Sequence, residues 1–237
     1  MLRRALLATI GVAALLAAGP AEAAPPGDFV AWVHAAPGRA AEVQAFEQYL
    51  KHAGVGGVLP LSQILLNASS WRICKVAPYS VAPRDLWPNI VPTLRFIRAR
   101  IVPTLGPVAA LSGYREPALN TCSGGAPKSA HALFYALDLT PLRFKDRDKM
   151  IAAVCALHAK FGPAAHAGLG FYQGTRFHID TNGFRRWGSD YTPPPRPASR
   201  WNRRNPSWRR AGRGCAAPAS RCRAGSTSDR SPCPPWS

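Results

Sequence analysis

Apolar positions in the first half of the chain recur at helical spacing, and those in the second half mostly alternate. Val43, Phe46, Leu50 and Ala53 share one face of a helix predicted over 37–53, which Gly54 stops. A second, short helix is predicted around Gln63 to Asn67, and the proline-rich, polar stretch 76–88 reads as a loop. A third helix is predicted over Asn89 to Val102, with Val91, Leu94, Ile97 and Ile101 on one face. Its Pro92 falls in the first turn, where a missing N–H costs little. Beyond that helix the period shortens. Val108 to Leu111 reads as a strand, Leu119 to Lys128 as a loop turning at Gly124-Gly125, and Ala132 to Leu139 as another strand. Alternation there would put Phe134, Ala136 and Asp138 on one face. Asp146 caps a helix predicted to run to Phe161, with Met150, Val154, Leu157 and Phe161 turned inward. Gly168 to Tyr172 and Arg176 to Thr181 read as a hairpin around Gln173-Gly174. Helices first, then strands with one helix inserted, predict an α+β fold: a small, mainly antiparallel sheet with flanking helices.

The ends of the 237-residue chain have a different composition. Arg3 and Arg4 precede an apolar run from Ala5 to Ala18 and a small-residue site at Ala21-Glu22-Ala23, so residues 1–23 read as a secretory signal peptide. The competing reading is an uncleaved anchor, but the run falls short of the ~20 residues that span a bilayer. No other stretch is long and apolar enough to cross a membrane. The domain is therefore expected over 24–192, with export to the periplasm or cell envelope, or release outside. Residues 193–237 are rich in Pro, Arg, Ser and Gly, and their ten arginines against Asp229 supply half of the net charge of +18. Such a segment cannot bury enough apolar surface to offset its ordering entropy, and reads as a disordered tail. Trp201, Trp208 and Trp236 among arginines suit stacking on nucleic acid. In an exported protein an anionic wall polymer or membrane surface is the expected contact, and a solvated tail without a role is the alternative.

Export places all six cysteines in an oxidising compartment. None lies in a Cys-x-x-Cys pair, which argues against a thiolate metal site. Cys74, Cys122 and Cys155 fall in the folded part, and one disulfide among them is expected, with Cys122–Cys155 as the first guess.

Two histidines and a carboxylate carry the chemistry. Ser129-Ala130-His131 is followed by Asp138, and Phe177-His178-Ile179-Asp180 comes about forty residues later. This is the ligand set of a catalytic zinc that keeps one position open. Residues 129–138 resemble the Ser-x-His-x-x-Gly-x-Ala-x-Asp signature of the zinc D-alanyl-D-alanine peptidases, whose fold is shared with the Hedgehog signalling domain. Ser129, His131, Ala136 and Asp138 match, and Phe134 stands where the signature has glycine. Ser112-Gly113-Tyr114-Arg115 and the segment around His178 resemble two further motifs of that family. The likeness spans roughly 28–190 and is strongest over 108–188. It implies one zinc per chain held by His131, Asp138 and His178, and Arg115 holding the terminal carboxylate of a peptidoglycan stem peptide. Ser129 would bind substrate or cap its loop. On an ideal strand, residues seven apart lie over about 20 Å from each other, so the chain must bend between His131 and Asp138.

Many relatives carry a glutamate three residues before the last histidine, where this chain has Thr175. Asp180 is the first candidate for the general base, or else an acid that orients a ligand; His166 and Glu116 follow. The leading expectation is a zinc carboxypeptidase or endopeptidase acting on D-alanine-containing stem peptides. A catalytically inactive wall-binding protein is the alternative, and export argues against a nucleic-acid binder.

Overall fold

A computed structural model of the chain describes residues 26–188. The predicted signal peptide and the basic tail lie outside the described residues. Pro26 and Asp28 open helix α1 (Gly27–His34), which docks through Phe29, Trp32 and the Tyr79 ring. The Tyr79 hydroxyl donates to Asp28 at 2.9 Å. Helix α2 (Arg39–His52) buries Val43, Phe46 and Leu50, the predicted face. After the short α3 (Leu61–Ile64), a 3₁₀ turn at Arg84–Leu86 leads into α4 (Trp87–Phe96). The same rod continues through a π turn at Ile97–Ile101 into α5 (Val102–Leu105). The widened turn lies just before Pro103, whose missing N–H cannot continue the α ladder. The end of the stretch predicted as loop over 76–88 is therefore helical.

The sheet holds five strands in the order β1-β2-β4-β3-β5. They are β1 (Val108–Ser112), β2 (Ala136–Pro141), β3 (Gly168–Phe171), β4 (Phe177–Asp180) and β5 (Arg185–Trp187). All pairings are antiparallel except β3 with β5. Leu137, Leu139, Leu169, Phe171, Phe177 and Ile179 fill one sheet face and are buried in the core with Phe46, Ile90, Leu94, Ile97 and Ile101. Helix α7 (Arg147–Ala165) lies against β3, and the Asp146 carboxylate accepts from the Lys149 N–H at its start. The α+β architecture with a small, mainly antiparallel sheet matches the expectation.

Three local expectations are corrected. Helix α6 (Pro117–Cys122) occupies part of the predicted loop, opened by a proline at its first position. The strand predicted over 132–139 begins only at Ala136, because the preceding residues turn and Phe134 adopts φ +56°. Cys122 bonds Cys74 rather than Cys155, which ties α6 to the loop after α3.

Candidate metal centre

The site lies along one transverse row of the sheet. Ser112 pairs with Asp138, Asp138 with His178, His178 with Gly170, and Gly170 with Trp187, so the row crosses all five strands. A bulge between Ala110 and Ser112 sets Ser112 opposite Asp138. One row further along, Asp180 pairs with Gly168, and Gly168 with Arg185. The two glycines clear this face. A Cβ at Gly170 would fall inside the Trp187 indole, and one at Gly168 would meet the Asp180 carboxylate and the Arg185 guanidinium.

His131 arrives differently, on the turn before β2. That turn starts at Ser129, whose Oγ accepts from the His131 N–H at 3.3 Å, and closes with Tyr135 N–H donating to the Ala130 carbonyl at 2.8 Å. The bend needed between His131 and Asp138 is supplied by Phe134 in the left-handed region. Glycine adopts that region freely; for phenylalanine it costs about 1–2 kcal/mol. The cost is offset because the Phe134 ring is fully buried, 5.8 Å from Phe46 and 5.9 Å from Tyr114. Asn89 and Thr93 of α4 donate to the Leu133 and Tyr135 carbonyls, which fixes the turn further.

The bend brings three ligand atoms together. His131 Nε2, His178 Nδ1 and Asp138 Oδ1 form a near-equilateral triangle with edges of 3.1, 3.2 and 3.2 Å. All three side chains are buried. The other ring nitrogens fix the tautomers: His131 Nδ1 donates to the Gly113 carbonyl at 2.7 Å, and His178 Nε2 donates to Asp180 Oδ2 at 2.7 Å. Both atoms facing the triangle's centre are thus lone pairs, as is Asp138 Oδ1. Three converging acceptors require a cation or a proton between them. A tetrahedral ion with ligands at about 2.0–2.1 Å separates them by about 3.3 Å, so the triangle fits zinc with one position left open. These three residues could hold a metal ion.

The electrostatics agree. Burial, then the Arg115 charge, pushes the His131 pKa down to about 4, so this ring is neutral at neutral pH. Burial would also lower His178, but its bonds to Asp138 and Asp180 outweigh that and raise it. Burial would raise Asp138, yet His131, His178 and Arg115 together hold it well below the carboxylate range. Metal binding here requires both rings to present a lone pair to the cluster, so it competes with protons.

Asp138 Oδ2 points away from the triangle and accepts from two guanidiniums, Arg115 at 3.0 Å and Arg176 at 2.6 Å. Arg115 also bonds Ser112 Oγ through Nε and one terminal nitrogen. Arg176 reaches Ser69 Oγ at 3.2 Å and stacks over Tyr172. The half-buried Tyr172 has its pKa raised by burial and by the Asp138 charge, so its hydroxyl keeps its proton. Trp187 closes that side, 5.1 Å from Tyr172 and 5.4 Å from His178.

Asp180 and Glu116, two of the base candidates, are engaged by other partners. Asp180 is buried, with Oδ2 on His178 and Arg185 and Oδ1 on the Asn182 N–H and Arg185. Glu116 is exposed and accepts from Ser80, Thr175 bonds Thr140, and the exposed His166 ends α7. The sequence reading missed Arg176, Arg185 and Trp187. The glycines at 168 and 170, alternating in a strand, were the available signal of a close approach on that face.

A mainly antiparallel sheet and the turn before β2 together bring two histidines and one aspartate into a group that could hold a metal ion, as metal-dependent hydrolases require. Residues 74–180 match the family model described as Peptidase M15. The matched span holds all three ligands, Arg115 and Asp180. No curated protein and no solved structure matches the chain.

Proposed function

We propose that this protein is a zinc-dependent peptidase that removes or cuts at D-alanine in peptidoglycan stem peptides. The observation that carries the reading is the triangle of three buried lone-pair donors beside an arginine at the end of β1. When bound, zinc would supply Lewis acidity and a water acidic enough to be deprotonated near neutral pH. The protein's own residues do the rest. His131 and His178 are held in the ligand tautomer by Gly113 and Asp180. Arg115 keeps a terminal nitrogen that no side chain among the described residues occupies and offers it to the substrate carboxylate; its planar fork suits that group. Tyr172 stays a hydrogen-bond donor at the rim, and Trp187 shields His178 from water.

Asp180 acts by orienting His178 and not as the base, because both of its oxygens are engaged. In this reading the expected leader carries the domain to the wall, where the basic tail meets anionic polymer.

The test is mass spectrometry of purified peptidoglycan incubated with the zinc-loaded full chain, beside His131→Ala. Loss of terminal D-alanine, or cleavage of cross-links, confined to the wild type supports the reading and names the bond. Unchanged peptidoglycan with stoichiometric zinc in the protein would favour the wall-binding alternative, which the absence of a free carboxylate at the cluster among the described residues also suits.

A further inference from the structure

We propose that Arg176 makes this site selective for substrates with a second carboxylate, carried by the residue that contributes the scissile carbonyl. The inference deepens the peptidase reading and rests on it. It starts from the strand order. Arg115 follows β1 and Arg176 precedes β4, and these strands flank β2 on opposite sides. Both guanidiniums reach the single oxygen Asp138 Oδ2, Arg115 from the end of β1 and Arg176 from the start of β4. Arg176 thus adds a second guanidinium at the metal ligand, besides the Arg115 assigned to the terminal carboxylate.

Charge counting gives the same answer. Asp138 offsets one of the two arginines, and among the described residues no other acidic side chain does so for the second. Asp180 is matched by Arg185 and His178, Glu116 is turned to Ser80, and the neighbouring Thr175 is neutral and bonded to Thr140. The cluster has one positive charge in excess, and a divalent ion would raise the excess to three. A substrate with one terminal carboxylate removes one of these. Excess charge in a site shielded from water is costly, and a second carboxylate relieves it.

Arg176 has the means to bind that group. Its terminal nitrogens hold Asp138 and Ser69, while its Nε is buried with no hydrogen-bond partner. Tyr172 lies beneath its guanidinium at 4.9 Å and holds the plane. Its side chain is 22% exposed against 11% for Arg115, so a ligand can reach the guanidinium at the terminal nitrogen that Ser69 holds, while the buried Nε stays out of reach. Since Arg115 takes the terminal carboxylate of the leaving residue, Arg176, on the β4 side of Asp138, faces the acyl-side residue.

The experiment compares N-acetyl-D-Glu-D-Ala with its neutral isostere N-acetyl-D-Gln-D-Ala and with N-acetyl-D-Ala-D-Ala. Two readouts are taken: calorimetric binding to the metal-free full chain, and kcat/KM of the zinc-loaded chain. The expected result is tighter binding of the D-Glu peptide by about 10-fold or more, as a charged hydrogen bond gives. Arg176→Gln should reduce that ratio to about 2-fold or less, and Arg176→Lys should restore part of it. A residue that merely supported Asp138 would weaken all three peptides alike and leave the ratio unchanged. Equal binding of the D-Glu and D-Gln peptides by the wild type overturns the inference and needs no variant. Hydrolysis of N-acetyl-D-Ala-D-Ala without that preference would also overturn it, while leaving the peptidase reading in place. Preferential binding without hydrolysis of any peptide would uphold the role of Arg176 and count against the peptidase reading.

Discussion

The two histidine ligands are held by opposite means. His131 sits on a turn whose geometry is set by apolar packing: Phe134 bends the backbone and anchors it against Phe46 and Tyr114. His178 sits on a central strand and is set by charge: Asp180 fixes its ring and Arg185 fixes Asp180, across a strand cleared by Gly168. An irregular segment has no ladder to hold it, so it needs a buried side chain as its anchor. A strand already has its ladder, and only the rotation of the ring remains to be fixed. The same ligand geometry thus rests on a hydrophobic contact on one side and on a polar chain on the other.

The comparison breaks most sharply at Phe134. Phe134→Ala removes a fully buried ring but keeps the strained backbone, and should cost about 3–5 kcal/mol of stability in urea unfolding. Phe134→Gly also loses the ring, yet relieves the left-handed strain, and should be more stable than the alanine variant by up to about 1 kcal/mol. If the glycine variant were the less stable, the backbone at 134 would not be strained.

The covalent tie comes next. Cys74–Cys122 joins the loop bearing Ser69, the partner of Arg176, to the helix that begins two residues after Arg115. Replacing both cysteines by serine should lower stability by about 2–4 kcal/mol. Calorimetric melting would check this, and an unchanged melting temperature would contradict it.

The polar side is sharpened by Asp180→Asn. It keeps the shape but weakens the hold on His178, so metal affinity should fall about 10–100-fold in a chelator competition, as loss of such outer partners does. Phe134→Leu, which retains an apolar anchor, should weaken metal binding less. Equal losses in both variants would mean that the two ligands are not held by separate means.

The smallest effect is a pH slope. Burial lowers the pKa of His158, although its bond to the Ala167 carbonyl opposes this. Its folded value then lies below the unfolded ~6.5, so above that pH it costs nothing. As pH falls from about 6.5 toward the folded value, the unfolded chain takes up the proton first and stability drops. His158→Gln should flatten that part of the curve for the metal-free protein, measured by denaturation between about pH 7.5 and 5.5.

What was legible in the sequence follows from the range of the interactions. Helices α2 and α7 were readable because their apolar faces and the Asp146 cap are local signals. The ligand set was readable as a resemblance, since its spacing alone would place His131 and Asp138 far apart. Phe134 hid the bend: at a position that needs positive φ it looked like one more apolar residue of a strand. Arg176 was indistinguishable from a surface charge, because its partner Asp138 lies 38 positions away. Strand β5 was too short to show alternation, and α6 too short to show a helical period.

The most direct test of the central claim is a metal titration of the full chain after chelation, with bound zinc counted by elemental analysis and competed against a chromophoric chelator. The account predicts one zinc per chain, with affinity abolished or reduced by orders of magnitude in His131→Ala and in His178→Ala. Sub-stoichiometric zinc in the wild type, or binding that survives both substitutions, would contradict it.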